Sequence, residues 1–126
     1  MSPRAAGATQ HELSRIGLLA TLPGETLARL AQGMTREDVA AGAQVMTEGE
    51  DGDRFYVILS GMFSVSQESR GAQGVLRPGD YFGEVALAMN IPRTASVRAL
   101  TPATVASCDR ETFDEFIRPM FADDDS

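Results

Sequence analysis

The segment from Tyr81 to Leu100 contains the residues best suited to bind an anion. Gly83 follows a predicted strand, a short helix-forming stretch begins at Glu84, and a turn then leads to Arg93. A glycine lets the backbone approach a ligand closely, and the unpaired N–H groups at the beginning of a helix favour an anion. Arg93 offers a planar, always-charged fork to phosphate oxygens, and Glu84 can accept hydrogen bonds from a sugar hydroxyl. The segment therefore predicts a cradle for a ribose that carries one phosphate.

The charged residues narrow the class of function. The chain has 126 residues with a formal net charge of −7, and all 11 basic residues are Arg. Phosphate-loop NTPases and Schiff-base enzymes need a lysine, so both classes are excluded. The acidic balance argues against nucleic acid or an anionic membrane as the main partner, because each requires a basic face. Residues 70–108 nevertheless carry four Arg against two acids, which suits one small anion.

Catalytic and metal-binding residue types are sparse. One Cys cannot form an internal disulfide, and one His cannot complete the usual zinc site. No nucleophile, base and orienting group can be assembled, so we expect no enzyme and no cofactor. No apolar run approaches the ~18 residues of a membrane span, and the first residues do not resemble a signal peptide. We therefore expect a cytoplasmic protein without direct membrane insertion.

Two stretches with helical spacing flank the central part of the chain. Residues 11–34 are the predicted N-terminal helices, with apolar stripes at Leu13, Ile16 and Ala20, then at Leu27, Leu30, Ala31 and Met34. A C-terminal helix is predicted over residues 110–121, with Asp109 as its N-cap. Pro119 is expected to disturb or end this helix.

Residues 35–109 follow the pattern of short strands. Apolar or alternating runs recur there with turn signals every 8–12 residues, which predicts seven or eight strands in a small β-sandwich or β-roll. We therefore predict one domain over residues 11–121. A flexible leader at residues 1–10 precedes it, and an acidic tail at residues 122–126 follows it.

The same residues resemble a known family, the cyclic-nucleotide-binding domain, over about residues 13–118. The resemblance rests on a motif similar to the family's phosphate-binding cassette, Phe82-Gly83-Glu84-Val85-Ala86-Leu87 followed by Pro92-Arg93-Thr94-Ala95. The stretch from Ala86 to Arg93 resembles the regulatory domains of cyclic-nucleotide-dependent protein kinases more closely than it resembles bacterial transcription regulators. The predicted fold is then mainly β with flanking helices (α+β). It is an eight-stranded antiparallel, jelly-roll-like β-roll with N-terminal helices, a short cassette helix and a C-terminal helix.

The resemblance implies a role for several residues. Glu84 would hold the ribose 2′-hydroxyl, and Arg93 would pair with the cyclic phosphate, helped by the backbone N–H groups of Ala86 and Thr94. Gly83 would allow close backbone contact, and Thr94 would also lie near the base edge. The ligand-binding residues implied are Phe82, Gly83, Glu84, Val85, Ala86, Leu87, Arg93, Thr94 and Ala95. The expected ligand is cAMP or cGMP, with cAMP favoured.

Two functions remain open. The first is a cyclic-nucleotide sensor that transmits a helix rearrangement to an output partner or domain not present in this chain. The second is an interaction module with the same fold and weak or no nucleotide binding. Family members usually continue into a helix that covers the base, whereas this chain stops at Ser126. We therefore expect either an excised regulatory domain or a short natural one that has the cradle but no proper lid. Thr94 as an ordinary strand residue and Cys108 as a core residue are the structural alternatives to a role in function.

Overall fold

Eight short strands form two four-stranded antiparallel sheets in the computed structural model, which describes residues 8–122. The strands are β1 Thr35–Val39, β2 Gln44–Met46, β3 Arg54–Ser60, β4 Phe63–Gln67, β5 Gly71–Leu76, β6 Tyr81–Phe82, β7 Ser96–Ala99 and β8 Ala103–Asp109. Their order is β1-β8-β3-β6 in one sheet and β2-β7-β4-β5 in the other. The predicted β-roll with flanking helices is confirmed.

The central strands β3 and β8 are buried on both faces. Successive side chains of a strand point to opposite faces of its sheet. Along β3, Phe55 and Val57 therefore pack among the helices, whereas Ile58 packs in the interior between the two sheets. Along β8, Ala106 joins the helical core and Val105 the interior. The same two strands thus support the interior of the roll and its helical cover.

The N-terminal helices are shorter than predicted. α1 spans Gln10–Ser14 and α2 spans Gly24–Gln32, and the residues between them form turns. In these turns Leu19 donates its backbone N–H to the carbonyl of Ile16 at 2.9 Å. The turns therefore bury Leu19, while Ala20 of the predicted stripe is exposed. Helical spacing alone could not separate a continuous helix from a series of turns with a period near three.

The C-terminal helix runs from Arg110 to Ala122 in three consecutive segments. These are α-helical Arg110–Thr112, π-helical Phe113–Ile117 and α-helical Arg118–Ala122. Asp109 is the N-cap, as predicted, and its side chain accepts from the Thr112 N–H at 2.9 Å. Pro119 does not end the helix. It falls in the first turn of the last segment, where its missing N–H is tolerated, and the wide π turns directly precede it.

The ends of the predicted domain are only partly described. Thr9 caps α1 in a reciprocal capping box with Glu12, and Ala8 is buried, so ordered structure begins inside the leader predicted at residues 1–10. Residues 1–7 of that leader and residues 123–126 of the acidic tail lie outside the described residues. Within residues 8–122, no helix has the length and apolar character needed to cross a bilayer.

Cys108 should be chemically silent in the folded protein. Burial, together with the nearby Asp109 charge, raises the pKa of its thiol to about 12. At pH 8 only roughly one thiol in ten thousand is then ionised, and only the thiolate reacts. We expect no reaction with a disulfide reagent such as DTNB at pH 8, and stoichiometric reaction once denaturant is added. Rapid labelling of the native protein would contradict the burial of this side chain.

Candidate ligand-binding site

A cavity of about 210 Å³ lies beside the cassette segment. The helix α3 (Glu84–Met89), the strands β2, β4, β5, β6 and β7, and the segments that join α3 to β6 and β7 form its wall. Its lining residues are Met46, Val65, Leu76, Tyr81, Phe82, Gly83, Glu84, Val85, Ala86, Arg93, Thr94, Ala95 and Val97. Eight of the nine predicted site residues are among them. Leu87 is the exception, because it is fully buried in the helical core.

Arg93 is buried among backbone carbonyls. It is 7% exposed, and its Nη1 donates to the Gly83 carbonyl at 3.1 Å while its Nη2 donates to the Arg54 carbonyl at 2.9 Å. Its own backbone N–H donates to the Glu50 carbonyl at 2.8 Å. A guanidinium carries five N–H donors, and these contacts with described residues use two of them. The group is therefore fixed in position while donors remain for a ligand.

Two glycines provide the space that Arg93 occupies. A Cβ at Gly52 would overlap the Arg93 guanidinium, and a Cβ at Gly83 would lie 3.1 Å from Nη1 and 2.8 Å from the Arg54 carbonyl oxygen. Gly83 also has a φ of 94°, in the left-handed region that side chains disfavour. The close backbone approach predicted for Gly83 is thus made toward Arg93 within the protein.

Burial changes the proton affinities of the two charged groups in the cavity. It raises the pKa of the Glu84 carboxyl above its usual range, although the residue's own backbone N–H and the Arg93 charge oppose this. It lowers the pKa of the Arg93 guanidinium, which the negative charges of Asp53 and Glu84 partly oppose. A site with one partly desolvated cation beside one carboxylate suits a ligand with both an anionic group and a hydroxyl donor.

The cavity wall is joined to the C-terminal helix through aromatic side chains. Tyr81 lines the cavity, and its ring centroid is 5.7 Å from that of Phe121 and 5.8 Å from that of Phe55. Phe55 in turn lies 5.4 Å from Phe113. Ring pairs at these separations attract each other and pack closely. The cavity wall and the C-terminal helix are therefore in direct contact.

Arg93 and Arg98 are five residues apart and occupy different settings. Arg93 lines the cavity, whereas Arg98 is exposed on β7, where its Nη1 and Nη2 donate to the Gly42 carbonyl and the Gln44 side chain, each at 2.8 Å. Thr94 lines the cavity with an exposed side chain, and its carbonyl accepts from Gln67. Arg98 therefore lies outside the cavity that Arg93 lines.

Several cavity residues were not assigned to the site by sequence reasoning. Met46, Val65, Leu76 and Val97 form an apolar part of the wall, and nothing local in the sequence distinguishes them from other strand residues. Gly52, which makes room for Arg93, lies in a turn distant in sequence from the cassette. A turn glycine that follows acidic residues and precedes a buried strand was the available signal for it.

Comparison with known proteins gives the family. The model of the cyclic nucleotide-binding domain matches residues 36–119, so the chain belongs to this family. It is similar to a cAMP-dependent protein kinase regulatory subunit of Yarrowia lipolytica, with 38% identity over 109 residues that cover 86% of this chain and 29% of that protein. The chain spans about a quarter of the length of the curated relatives it matches.

Solved structures show the same fold. The regulatory domain of Toxoplasma gondii PKA with cAMP has a TM-score of 0.84 and 26% identity, with 88% of this chain and 44% of that chain covered. The regulatory subunit of a cAMP-independent protein kinase A from Trypanosoma brucei has a TM-score of 0.83 and 25% identity, with coverage of 87% and 40%. The resemblance inferred from the cassette motif is confirmed.

The partly buried carboxyl of Glu84 should make the ligand-free protein less stable at neutral pH. Its pKa is raised in the folded state, so the folded state binds the proton more tightly and stability falls as pH rises through that pKa. We expect Glu84→Gln to raise the melting temperature of the ligand-free protein at pH 7. The difference should shrink toward pH 4, where the wild-type carboxyl becomes protonated.

Glu68→Gln is the matched control for this measurement, because Glu68 is an exposed carboxylate outside the cavity. It should leave the melting temperature nearly unchanged, since exposed substitutions usually have small effects. A lower melting temperature for Glu84→Gln than for the wild type at pH 7 would contradict the desolvation argument.

Proposed function

We propose that this chain is a regulatory module that binds a cyclic purine nucleotide, cAMP in preference to cGMP. The observation that carries the proposal is the pair of Arg93 and Glu84 at one cavity, one a buried cation and the other a partly buried carboxylate. Their segment is the one that resembles the family's phosphate-binding cassette, and it lies within the residues matched by the family model.

Each group has a physical role in this proposal. Arg93 pairs with the cyclic phosphate through the N–H groups that its backbone contacts leave free, and the Ala86 and Thr94 backbone N–H groups assist. Glu84 accepts a hydrogen bond from the ribose 2′-hydroxyl. Gly83 keeps the backbone close to the ligand, and the remaining ligand-binding residues are Phe82, Val85, Leu87 and Ala95. Leu87 acts from the core, since it supports α3 without lining the cavity.

The sugar faces an apolar surface. Met46, Val65, Leu76 and Val97 line the same cavity as the charged groups. The volume of about 210 Å³ is below the ~300–1,000 Å³ of sites that enclose a whole small molecule. The cavity therefore suits the ribose and the phosphate, with the base extending past Thr94 toward solvent. The preference for cAMP over cGMP is supported by the relatives named as cAMP-dependent regulatory subunits.

Binding is transmitted as a rearrangement of the C-terminal helix. The ligand contacts α3 and β6, and the rings of Tyr81, Phe121 and Phe113 link this wall to that helix. A ligand shifts an equilibrium only through contacts that differ between two states, and these packed rings supply such contacts.

The output is a partner protein or domain outside this chain, and the module has no catalytic step of its own. A cytoplasmic setting fits a regulatory module with a single, buried cysteine.

A second candidate function is an interaction module with weak or no nucleotide binding. Two observations favour it: the Arg93 guanidinium already donates to two carbonyls, and the fold is shared with a cAMP-independent regulatory subunit from Trypanosoma brucei. In this alternative Arg93 is a structural residue that holds two loops together.

Ligand titration separates the two functions. A ligand that binds only the native state stabilises it by mass action. We expect millimolar cAMP to raise the melting temperature of the 126-residue chain and to give a saturable calorimetric isotherm, with a smaller shift for cGMP. AMP, which lacks the cyclic phosphate, is the control ligand. Absence of a shift with every cyclic purine nucleotide would reject the sensor and favour the interaction module.

Substitution of Arg93 tests the site itself. A hydrogen bond to a charged group contributes ~1.5–3 kcal/mol, and ~1.4 kcal/mol corresponds to one decade of affinity. We expect Arg93→Ala to weaken cAMP binding at least about tenfold by calorimetry. Arg93→Lys should also weaken it, because a point charge cannot reproduce the planar fork. Both variants lose contacts to carbonyls, so binding is compared at a temperature where each is folded.

Arg98→Ala is the control for net charge. Arg98 is exposed and outside the cavity, so its removal should change affinity by less than about threefold. Equal losses for Arg93→Ala and Arg98→Ala would mean that overall positive charge attracts the ligand. Unchanged affinity in Arg93→Ala would show that the ligand binds elsewhere.

A further inference from the structure

The carboxyl end of α3 contains backbone groups that a helix cannot satisfy alone. The last carbonyls of any α-helix have no partner farther along the helix. In α3 the helix ends at Asn90, which adopts a left-handed φ of 57°, and the N–H groups of Asn90 and Ile91 both return to the Ala86 carbonyl. The carbonyls of Leu87 and Ala88 lie beyond that point and need donors from another element.

Two arginines of the C-terminal helix supply these donors. Arg118 donates from Nη2 to the Leu87 carbonyl at 2.8 Å and from Nη1 to the Ala88 carbonyl at 3.0 Å. Arg110 donates from Nη1 to the same Leu87 carbonyl at 3.3 Å. We refer to Arg110 and Arg118 as the arginine pair. Their contacts connect the C-terminal helix directly to the end of α3 opposite Gly83.

The guanidinium of Arg118 is oriented from its own helix. Its Nε donates to the Asp114 carboxylate at 2.9 Å, and its Cζ lies 5.7 Å from the centroid of the Phe113 ring. All three nitrogens are therefore engaged, one within the C-terminal helix and two at α3. A guanidinium held in this way makes two directed bonds, which a flexible ammonium could not reproduce.

We infer that the arginine pair, and Arg118 above all, positions α3 for ligand binding, an inference that rests on the function proposed above. A helix of six residues is too short to be stable alone, so its geometry depends on tertiary contacts. The positive charge of the arginine pair at the carboxyl end of α3 interacts favourably with the partial negative charge of its last carbonyls. The helix is only about 9 Å long, so holding that end also fixes Glu84 and Ala86 at the cavity.

Arg118 is a positioning residue in this account. It does not line the cavity, and it acts on the ligand through α3. Its hydrogen bonds also couple α3 and the C-terminal helix in both directions. Whatever orders α3, including a ligand at Glu84, strengthens the hold on the C-terminal helix, and a displaced C-terminal helix releases α3.

The test compares Arg118→Ala with Arg29→Ala in the 126-residue chain. Arg29 also pairs with the C-terminal helix, at 3.2 Å from Glu115, and lies over the Phe116 ring, but it comes from α2. Hydrogen exchange of the amides of residues 88–91 is measured without ligand, and cAMP affinity by calorimetry. We expect Arg118→Ala to speed this exchange and weaken cAMP binding, each about five- to tenfold, with Arg29→Ala close to wild type.

Arg118→Lys is the conservative variant and also the substitute if Arg118→Ala does not fold. One ammonium can reach one carbonyl at a time, so exchange and affinity should fall between those of wild type and Arg118→Ala. Wild-type exchange at residues 88–91 in the Arg118 variants would overturn the inference. Faster exchange with unchanged affinity, or equal losses in Arg29→Ala, would overturn it as well.

The exchange measurement needs no ligand, so it separates the two proposals. Failure of the wild-type protein to bind cAMP would reject the proposed function, whereas the ligand-free exchange of residues 88–91 would still decide whether Arg118 holds α3. If the wild type binds cAMP and the Arg118 variants behave like wild type in both assays, the function stands and the inference fails.

Discussion

The rest of the site depends on the hydrogen bonds that the buried guanidinium of Arg93 donates to backbone carbonyls. A buried charge is costly unless hydrogen bonds replace its water, and the Gly83 and Arg54 carbonyls provide two of them. These bonds tie the beginning of α3 to the beginning of β3 through a residue that precedes β7. A single side chain therefore fixes three segments that are distant in sequence. Because Arg93 also lines the cavity, these hydrogen bonds hold a desolvated cation at the cavity wall.

Space for that cation is created by residues that lack side chains. Gly52 and Gly83 lie against the guanidinium, and a Cβ at either position would come too close to it or to the neighbouring backbone. Behind this arrangement, β3 and β8 are buried on both faces, so the cavity and the helical cover share one framework. The close packing of Phe55 between Tyr81 and Phe113 makes that framework a physical connection between ligand site and C-terminal helix.

The sequence by itself predicted seven or eight short strands and the cassette. Strand alternation, turn glycines and caps are local properties, so residues 35–109 were recognisable as a small β-sandwich or β-roll, and Asp109 as the N-cap of the last helix. The cassette spacing brought together eight of nine predicted residues at one cavity. The chemistry of Arg93 and Glu84 follows from their residue types, because a guanidinium binds anionic oxygens and a carboxylate binds hydrogen-bond donors in any fold.

Only the tertiary structure decided which face each residue presents and which distant groups it meets. Leu87 belongs to the motif but packs in the core. Ala20 was predicted on the apolar stripe, but it is exposed and Leu19 is buried instead, because the chain there forms turns. The helix continues through Pro119 because π turns precede it. The donation of Arg118 to α3 joins residues about thirty positions apart. Such contacts depend on how elements dock, and local periodicity carries no information about docking.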